Sequence, residues 1–109
     1  MKYIIPQERL KILIPEYIKT YYGELEPVVN DEKTEVHFVD RNGVSRMSGH
    51  QGGRLYVSDE FYNNCARMFG FELEDISSIK LFDKFIFQFI KDEFGLIFNK
   101  LLFYFENQP

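Results

Sequence analysis

A chain of 109 residues is long enough for a single domain with one modest hydrophobic core, and its 45% hydrophobic residues argue against disorder. Its net charge of −4 excludes a global basic field that would attract nucleic acid or an anionic membrane. Its one cysteine can form no internal disulfide, which favours a reducing compartment.

No segment has the pattern of a membrane span or a secretory signal. The most apolar run, Leu96 to Phe105, has about half of the roughly 20 residues that a spanning helix needs. The N-terminal sequence MKYIIPQERLKIL lacks both a long apolar stretch and a small-residue cleavage site. We therefore expect a cytoplasmic protein.

The first part of the chain predicts a helix followed by a loop. Residues Lys2 to Ile5 are expected to form a short edge strand or an extended lead-in, and Pro6 suits the first turn of a helix. Pro15 is expected to kink or split that helix, because proline removes one backbone hydrogen bond. Gly23 ends it, and the polar segment from Glu24 to Lys33 predicts a loop. The helix is indicated by apolar residues at helical spacing: Leu10, Leu13, Ile14, Tyr17, Ile18 and Tyr21.

Residues Thr34 to Gly49 predict a β-hairpin. The dipeptide Asn42-Gly43 is a strong turn signal, because both positions of a tight two-residue turn need positive φ. This turn places Asp40 opposite Ser45 and puts Val36, Phe38 and Met47 on the core face. The opposite, more polar face then holds Glu35, His37, Val39, Arg46, Ser48 and His50.

A third strand and a second helix follow the hairpin. The strand is predicted from Arg54 to Val57, after a turn at Gly52-Gly53. Ser58 is expected to cap the helix, and Gly70 to close it. The buried side of this helix is predicted to hold Phe61, Cys65, Met68 and Phe69.

The phenylalanine-rich stretch from Glu74 to Glu106 predicts the centre of the domain. Its first part, Ile76 to Phe94, is expected to form a long helix that ends at a left-handed Gly95. A buried strand is expected from Leu96 onward. The core face of the helix is predicted to hold Ile79, Phe82, Ile86, Phe89 and Ile90.

The element order is therefore α-β-β-β-α-α-β in a single α+β domain covering residues 1–109. Helices are predicted to pack on one face of a small, mostly antiparallel sheet.

Three patterns in the sequence are possible sites of binding or catalysis. Glu35, His37 and His50 share the polar hairpin face, where two imidazoles and a carboxylate would suit a divalent cation such as zinc. An unoccupied, solvated face is the simpler interpretation. The glycine-rich loop 48–53 lacks the spacing of a phosphate-binding loop and leads into a strand. Cys65 lies at apolar spacing in a helix, which predicts a buried thiol. We therefore expect no enzyme and no cofactor.

Phe87 is the residue that the predicted core does not explain. Helical spacing places it between Lys84 and Lys91, on the charged side of the long helix. Either a neighbouring element of the chain or a partner is expected to cover it. Tyr21 and Tyr22, near the end of the first helix, offer a second candidate contact.

Two stretches together resemble small, uncharacterised accessory proteins encoded by tailed bacteriophages. They are MKYIIPQERLKILIPEYI and RLYVSDEFYNNCARMFGFELEDISSIKLFDKFIFQFIKDEFGL. The similarity is one of pattern: a basic start, a helix, a strand ending in Leu-Tyr-Val, and a long helix running into a terminal strand. Those proteins often carry a tryptophan in the long helix, which is absent here. The resemblance implies a viral origin, a place in the host cytoplasm and an accessory role, and it implies no catalytic residue.

The leading functional hypothesis is a non-catalytic interaction protein. Its partner would be a host factor, a phage component or a second copy of the chain. The alternatives are a small ligand- or metal-binding module on the hairpin face and, less favoured, a nucleic-acid-binding protein. The last would require the following cations to converge: Lys80, Lys84, Lys91, Arg46 and Arg54.

Overall fold

The computed structural model describes residues 7–104, with side chains described from residue 8 to residue 103. The predictions for Lys2 to Pro6 lie outside the described residues. Within them the elements are, in chain order, α1 (Gln7–Tyr22), β1 (Glu26–Val29), β2 (Glu35–Val39), β3 (Ser45–His50), β4 (Arg54–Ser58), α2 (Asp59–Met68), α3 (Ile76–Phe94) and β5 (Lys100–Tyr104).

The five strands form one sheet in the order β1-β2-β3-β4-β5. The pairs β1–β2, β2–β3 and β3–β4 are antiparallel. Strand β5 runs parallel to β4, and Leu101 pairs with Leu55. A parallel partner requires a crossover, and α2 and α3 provide it. The predicted α+β class and mostly antiparallel sheet are confirmed.

The core lies between the helices and one face of the sheet. Strand residues Phe38, Met47 and Val57 are fully buried there, together with Phe61 of α2 and Phe82 of α3. Helix α1 contributes Leu10, Ile14 and Ile18. No helix within residues 7–104 is both long and apolar enough to cross a membrane.

Two features of the first third of the chain differ from the sequence interpretation. The segment predicted as a loop contains β1, which tolerates Pro27 because it is an edge strand. Helix α1 is not split at Pro15 and runs unbroken from Gln7 to Tyr22. Its buried face packs on the core, and this packing outweighs the one lost hydrogen bond.

The hairpin turn also differs from the prediction. Gly43 has φ of +80° but Asn42 has no positive φ, so the tight two-residue turn is wrong. Instead Gly43 N–H donates to Asp40 C=O, and Asp40 N–H donates to Val44 C=O. The register shifts after Phe38, so Val39 rather than Asp40 lies opposite Ser45.

This bulge turns Arg46 away from the polar face, where the sequence placed it. Its Nε lies 2.8 Å from a carboxylate oxygen of Asp40, and its guanidinium lies 4.9 Å from the centroid of the Tyr22 ring. Burial alone would raise the pKa of Asp40. The backbone N–H groups of Val44 and Asn42 and the Arg46 guanidinium outweigh burial and hold that pKa below its usual value.

The two later helices match most of their predicted caps and faces. The Ser58 hydroxyl accepts a hydrogen bond from Phe61 N–H, and Gly95 closes α3 with φ of +72°. Met68, predicted to be buried, is 52% exposed. Phe85 replaces Ile79 in the buried set of α3, since Ile79 lies at the rim of a cleft.

The last strand is the largest departure from the sequence interpretation. The prediction of a buried strand is wrong, because β5 is the outermost of the strands that residues 7–104 form. Ile97 before it is 74% exposed and Phe103 within it is 48% exposed. The apolar run that suggested a central strand therefore lies at an edge.

Candidate functional site

The free edge of β5 is the strongest candidate for a binding site. Lys100 N–H donates to Gly53 C=O on the β4 side, at 3.1 Å. Successive residues of a strand direct their backbone groups alternately to opposite sides, so those of Leu101 and Phe103 point away from β4. No further strand pairs with β5 in the part of the chain that the structure describes. Among residues 7–104, these two residues therefore present donors and acceptors that no other strand pairs.

The side chains of β5 are apolar on both faces of the sheet. Leu101 and Phe103 lie on the helix-covered face, and Leu102 lies on the other, with Tyr56 as its cross-strand neighbour. Lys100 is the single charged residue of the strand. A strand edge with unpaired backbone groups and apolar side chains is a template for pairing with another chain.

A cleft of about 320 Å³ lies beside β5, between the strand and the starts of α2 and α3. Its wall includes Leu73 and Ile79, and the half-exposed Phe103 packs edge-on against Tyr62, with 4.8 Å between ring centroids. The Tyr62 hydroxyl donates a 2.7 Å hydrogen bond to Asp83. Burial and this acceptor raise the pKa of Tyr62, so the phenol stays neutral and holds the cleft wall in place.

The opposite edge of the sheet, β1, has one outward backbone donor fewer than β5. Asn30 N–H donates to Glu35 C=O on the β2 side, which leaves Pro27 and Val29 directed outward. Pro27 has no N–H to offer. The end of β1 is further tied by the Asn30 side-chain oxygen, which accepts hydrogen bonds from the N–H groups of Thr34 and Glu35.

The polar face of the hairpin brings the predicted metal candidates together. One Glu35 oxygen lies 3.3 Å from His37 Nε2, and the other lies 3.4 Å from His50 Nδ1. Glu35 lies opposite His50 in the register, and both lie on the polar face where the sequence placed them. They border a cleft of about 380 Å³ together with Ser45, Ser48 and Tyr56. Among the described residues, however, no group of three His, Cys, Asp or Glu side chains is arranged to hold a metal ion.

The interface candidates from the helices differ in their exposure. Phe87 is half-buried and packs against the core, so the chain's own elements cover part of it. Lys84 and Lys91 are exposed beside it. Tyr21 is 63% exposed, whereas Tyr22 is buried against Phe61 and is unavailable as a contact.

The remaining candidates carry structural roles. Cys65 is fully buried, and burial raises its pKa to about 12, so the thiol is a core residue, as predicted. Arg46 is held by Asp40 and Tyr22 and therefore does not join Arg54 in a shared basic surface.

Sequence reasoning missed the β5 edge because it treated a uniformly apolar run as buried. The contact that joins β5 to β4 begins at Gly53, whose C=O accepts hydrogen bonds from Asn99 N–H and Lys100 N–H, and the sequence carries no local signal for such a distant pairing. Comparison of the chain with protein-family models, with curated proteins and with solved structures finds no match in any of the three.

Proposed function

We propose that this chain is a non-catalytic interaction protein that binds its partner by strand addition at the free edge of β5. The observation that carries the proposal is the pair of outward-directed backbone units of Leu101 and Phe103 on an apolar edge strand. In this binding mode main-chain hydrogen bonds provide affinity, and pockets for alternate side chains provide specificity.

The cleft beside β5 can serve as a pocket for side chains of the added strand. An added strand would run next to Phe103 and direct every second side chain toward Leu73 and Ile79. An apolar side chain fits this wall best. The partner segment is therefore expected to be extended and to carry an aliphatic or aromatic residue at the position beside Phe103.

The sequence resemblance adds the biological setting of the proposal. A small phage-encoded accessory protein acts on host factors or within a phage assembly, and an exposed strand edge is suited to either task. The Cys65 thiol is fully buried and therefore unsuited to act as a nucleophile, which favours binding over catalysis.

Proline substitution at the two edges tests the proposal. Phe103→Pro removes an outward N–H from β5 without removing a hydrogen bond to β4, and Val29→Pro is the matched change at β1. Tagged wild-type protein and both variants would be used to capture proteins from a lysate of the host. We expect the specifically bound proteins to be lost with Phe103→Pro and retained with Val29→Pro. Equal capture by all three proteins would contradict the proposal.

Because Phe103 also packs on Tyr62, a fold control accompanies the capture. Far-ultraviolet circular dichroism and thermal unfolding should show that both variants remain folded. The additional variant Phe103→Thr keeps the N–H and removes the ring. Capture by this variant should be weakened and not abolished, because the main-chain hydrogen bonds remain available.

A further inference from the structure

We propose that the partner strand at the β5 edge is β5 of a second copy of this chain, paired antiparallel about a two-fold axis at Leu102. The inference rests on the proposed function, because it names the occupant of the same edge. The two copies would join their five-stranded sheets into one continuous sheet.

The backbone geometry selects the register. The backbone N–H and C=O groups of Leu101 and Phe103 point away from β4. For hydrogen bonds to form between the copies, these residues must lie opposite residues of the other copy whose backbone groups also point outward. With Leu102 opposite itself, Leu101 of each copy faces Phe103 of the other. Each such pair exchanges two hydrogen bonds, and every unpaired donor and acceptor of Leu101 and Phe103 is then satisfied.

The side chains agree with this register. On the helix-covered face, Leu101 of one copy lies beside Phe103 of the other, next to the cleft wall formed by Leu73 and Ile79. On the other face, Leu102 meets Leu102 at the axis. Lys100 lies at opposite ends of the paired strands, so the only like charges of β5 are kept apart.

The β1 edge cannot provide an equivalent partner. Pairing of β5 with β1 of another copy would be heterologous, and repetition of that contact would build an open-ended assembly. Pro27 lacks one of the outward donors that such a contact needs. The contact between two β5 strands is self-complementary and closes after two copies.

A cysteine at the axis tests both the edge and the register. Facing residues that are not hydrogen-bonded have Cα atoms about 4.5 Å apart, within the roughly 4.4–6.8 Å range of a disulfide. Leu102→Cys in a Cys65→Ala background should form a disulfide-linked dimer on mild oxidation. The matched control, Val28→Cys at the other edge, is 47% exposed and should remain monomeric on a non-reducing gel.

The wild-type protein provides an independent measurement. We expect sedimentation equilibrium to give the mass of a dimer. Amide exchange of Leu101 and Phe103 should slow at least tenfold as the protein concentration rises. A monomer at all concentrations, or a dimer that Leu102→Cys does not cross-link, would overturn the inference.

The two proposals fail separately. If the wild-type chain is monomeric but loses its captured proteins through Phe103→Pro, self-pairing is overturned and strand addition by another protein stands. If neither dimerisation nor capture depends on β5, both proposals are overturned.

Discussion

The two edges of the sheet are built in opposite ways. At β1, Pro27 removes an outward donor, and side-chain hydrogen bonds from Asn30 tie the end of the strand to the adjoining turn. At β5, full backbone units and apolar side chains face outward. The comparison teaches that a small open sheet can protect one edge against pairing while leaving the other available.

The largest expected effect comes from placing a charge at the proposed axis. Leu102→Asp would set two carboxylates directly opposite each other and remove two leucine contacts. We expect the dimer dissociation constant to rise by at least about 100-fold, since each lost leucine contact is worth about 1.5 kcal/mol or more. Val28→Asp, on the same face of the sheet at β1, should leave it unchanged. Sedimentation velocity over a concentration series measures both, and an equal effect of the two changes would remove the distinction between the edges.

Breaking the polar contact beside the hairpin turn should affect folding and leave association intact. The Asp40 side chain is 1% exposed and is paired with the Arg46 guanidinium. Asp40→Ala removes the carboxylate that pairs with a largely buried cation, so we expect the free energy of unfolding to fall by about 3 kcal/mol. Urea unfolding measures this loss, and Arg46→Ala with the double variant gives the coupling between the two residues. A raised dimer dissociation constant in Asp40→Ala would show that the hairpin turn and β5 are not independent.

The same carboxylate gives a pH dependence with a defined sign. The pKa of Asp40 is lower in the folded protein than in the unfolded chain, so its stabilisation is complete above about pH 4. It is lost as the pH falls through the lowered folded value. The difference in unfolding free energy between wild type and Asp40→Asn should therefore shrink below about pH 4. A difference that stays constant down to pH 2 would contradict the assignment.

A smaller effect is expected where the segment before β5 crosses the sheet. A Cβ atom at Gly49 would come closer to the Phe98 ring than any packed side chain allows. Gly49→Ala should lower the unfolding free energy by about 1–3 kcal/mol, because the ring must move. Adding Phe98→Leu should recover part of that loss. Gly43→Ala is not a suitable control, because its positive φ adds strain of its own, so Ser48→Ala on the same strand serves instead.

The smallest effect on the free energy of unfolding is expected at the β1 edge. Val29→Pro removes an N–H that points outward and breaks no hydrogen bond to β2. The unfolding free energy should change by less than about 0.5 kcal/mol. A loss of several times that value in thermal or urea unfolding would mean that the Val29 N–H has a partner and that β1 is not an edge.

Local signals in the sequence predicted the parts of the fold that depend on local physics. Ser58 caps α2 and Gly95 caps α3 because each satisfies backbone groups within its own turn. The burial of Phe38 and Met47 on one face of the sheet followed from alternation along two neighbouring strands. These features can be predicted without knowing which distant segments of the chain pack against them.

The wrong predictions concern features that depend on contacts between residues far apart in the sequence. Pro27 argues against a strand unless the strand lies at an edge, and edge position is a property of the whole sheet. The apolar residues of β5 look the same in the sequence whether another strand covers them or not. Phe87 was singled out by helical spacing alone, and spacing could not reveal that the chain itself covers part of it.

The parallel pairing of β5 with β4 has a consequence for the order of folding. Strands β1 to β4 are complete by Ser58 and are joined by short connections, whereas residues 59–99 must be made and folded before β5 reaches Leu55 and Val57. Closing so long a connection costs more entropy and is slower than closing a hairpin. The apolar edge of β5 is thus assembled last, and until β5 arrives the outer strand on that side of the sheet is β4, which β5 then covers.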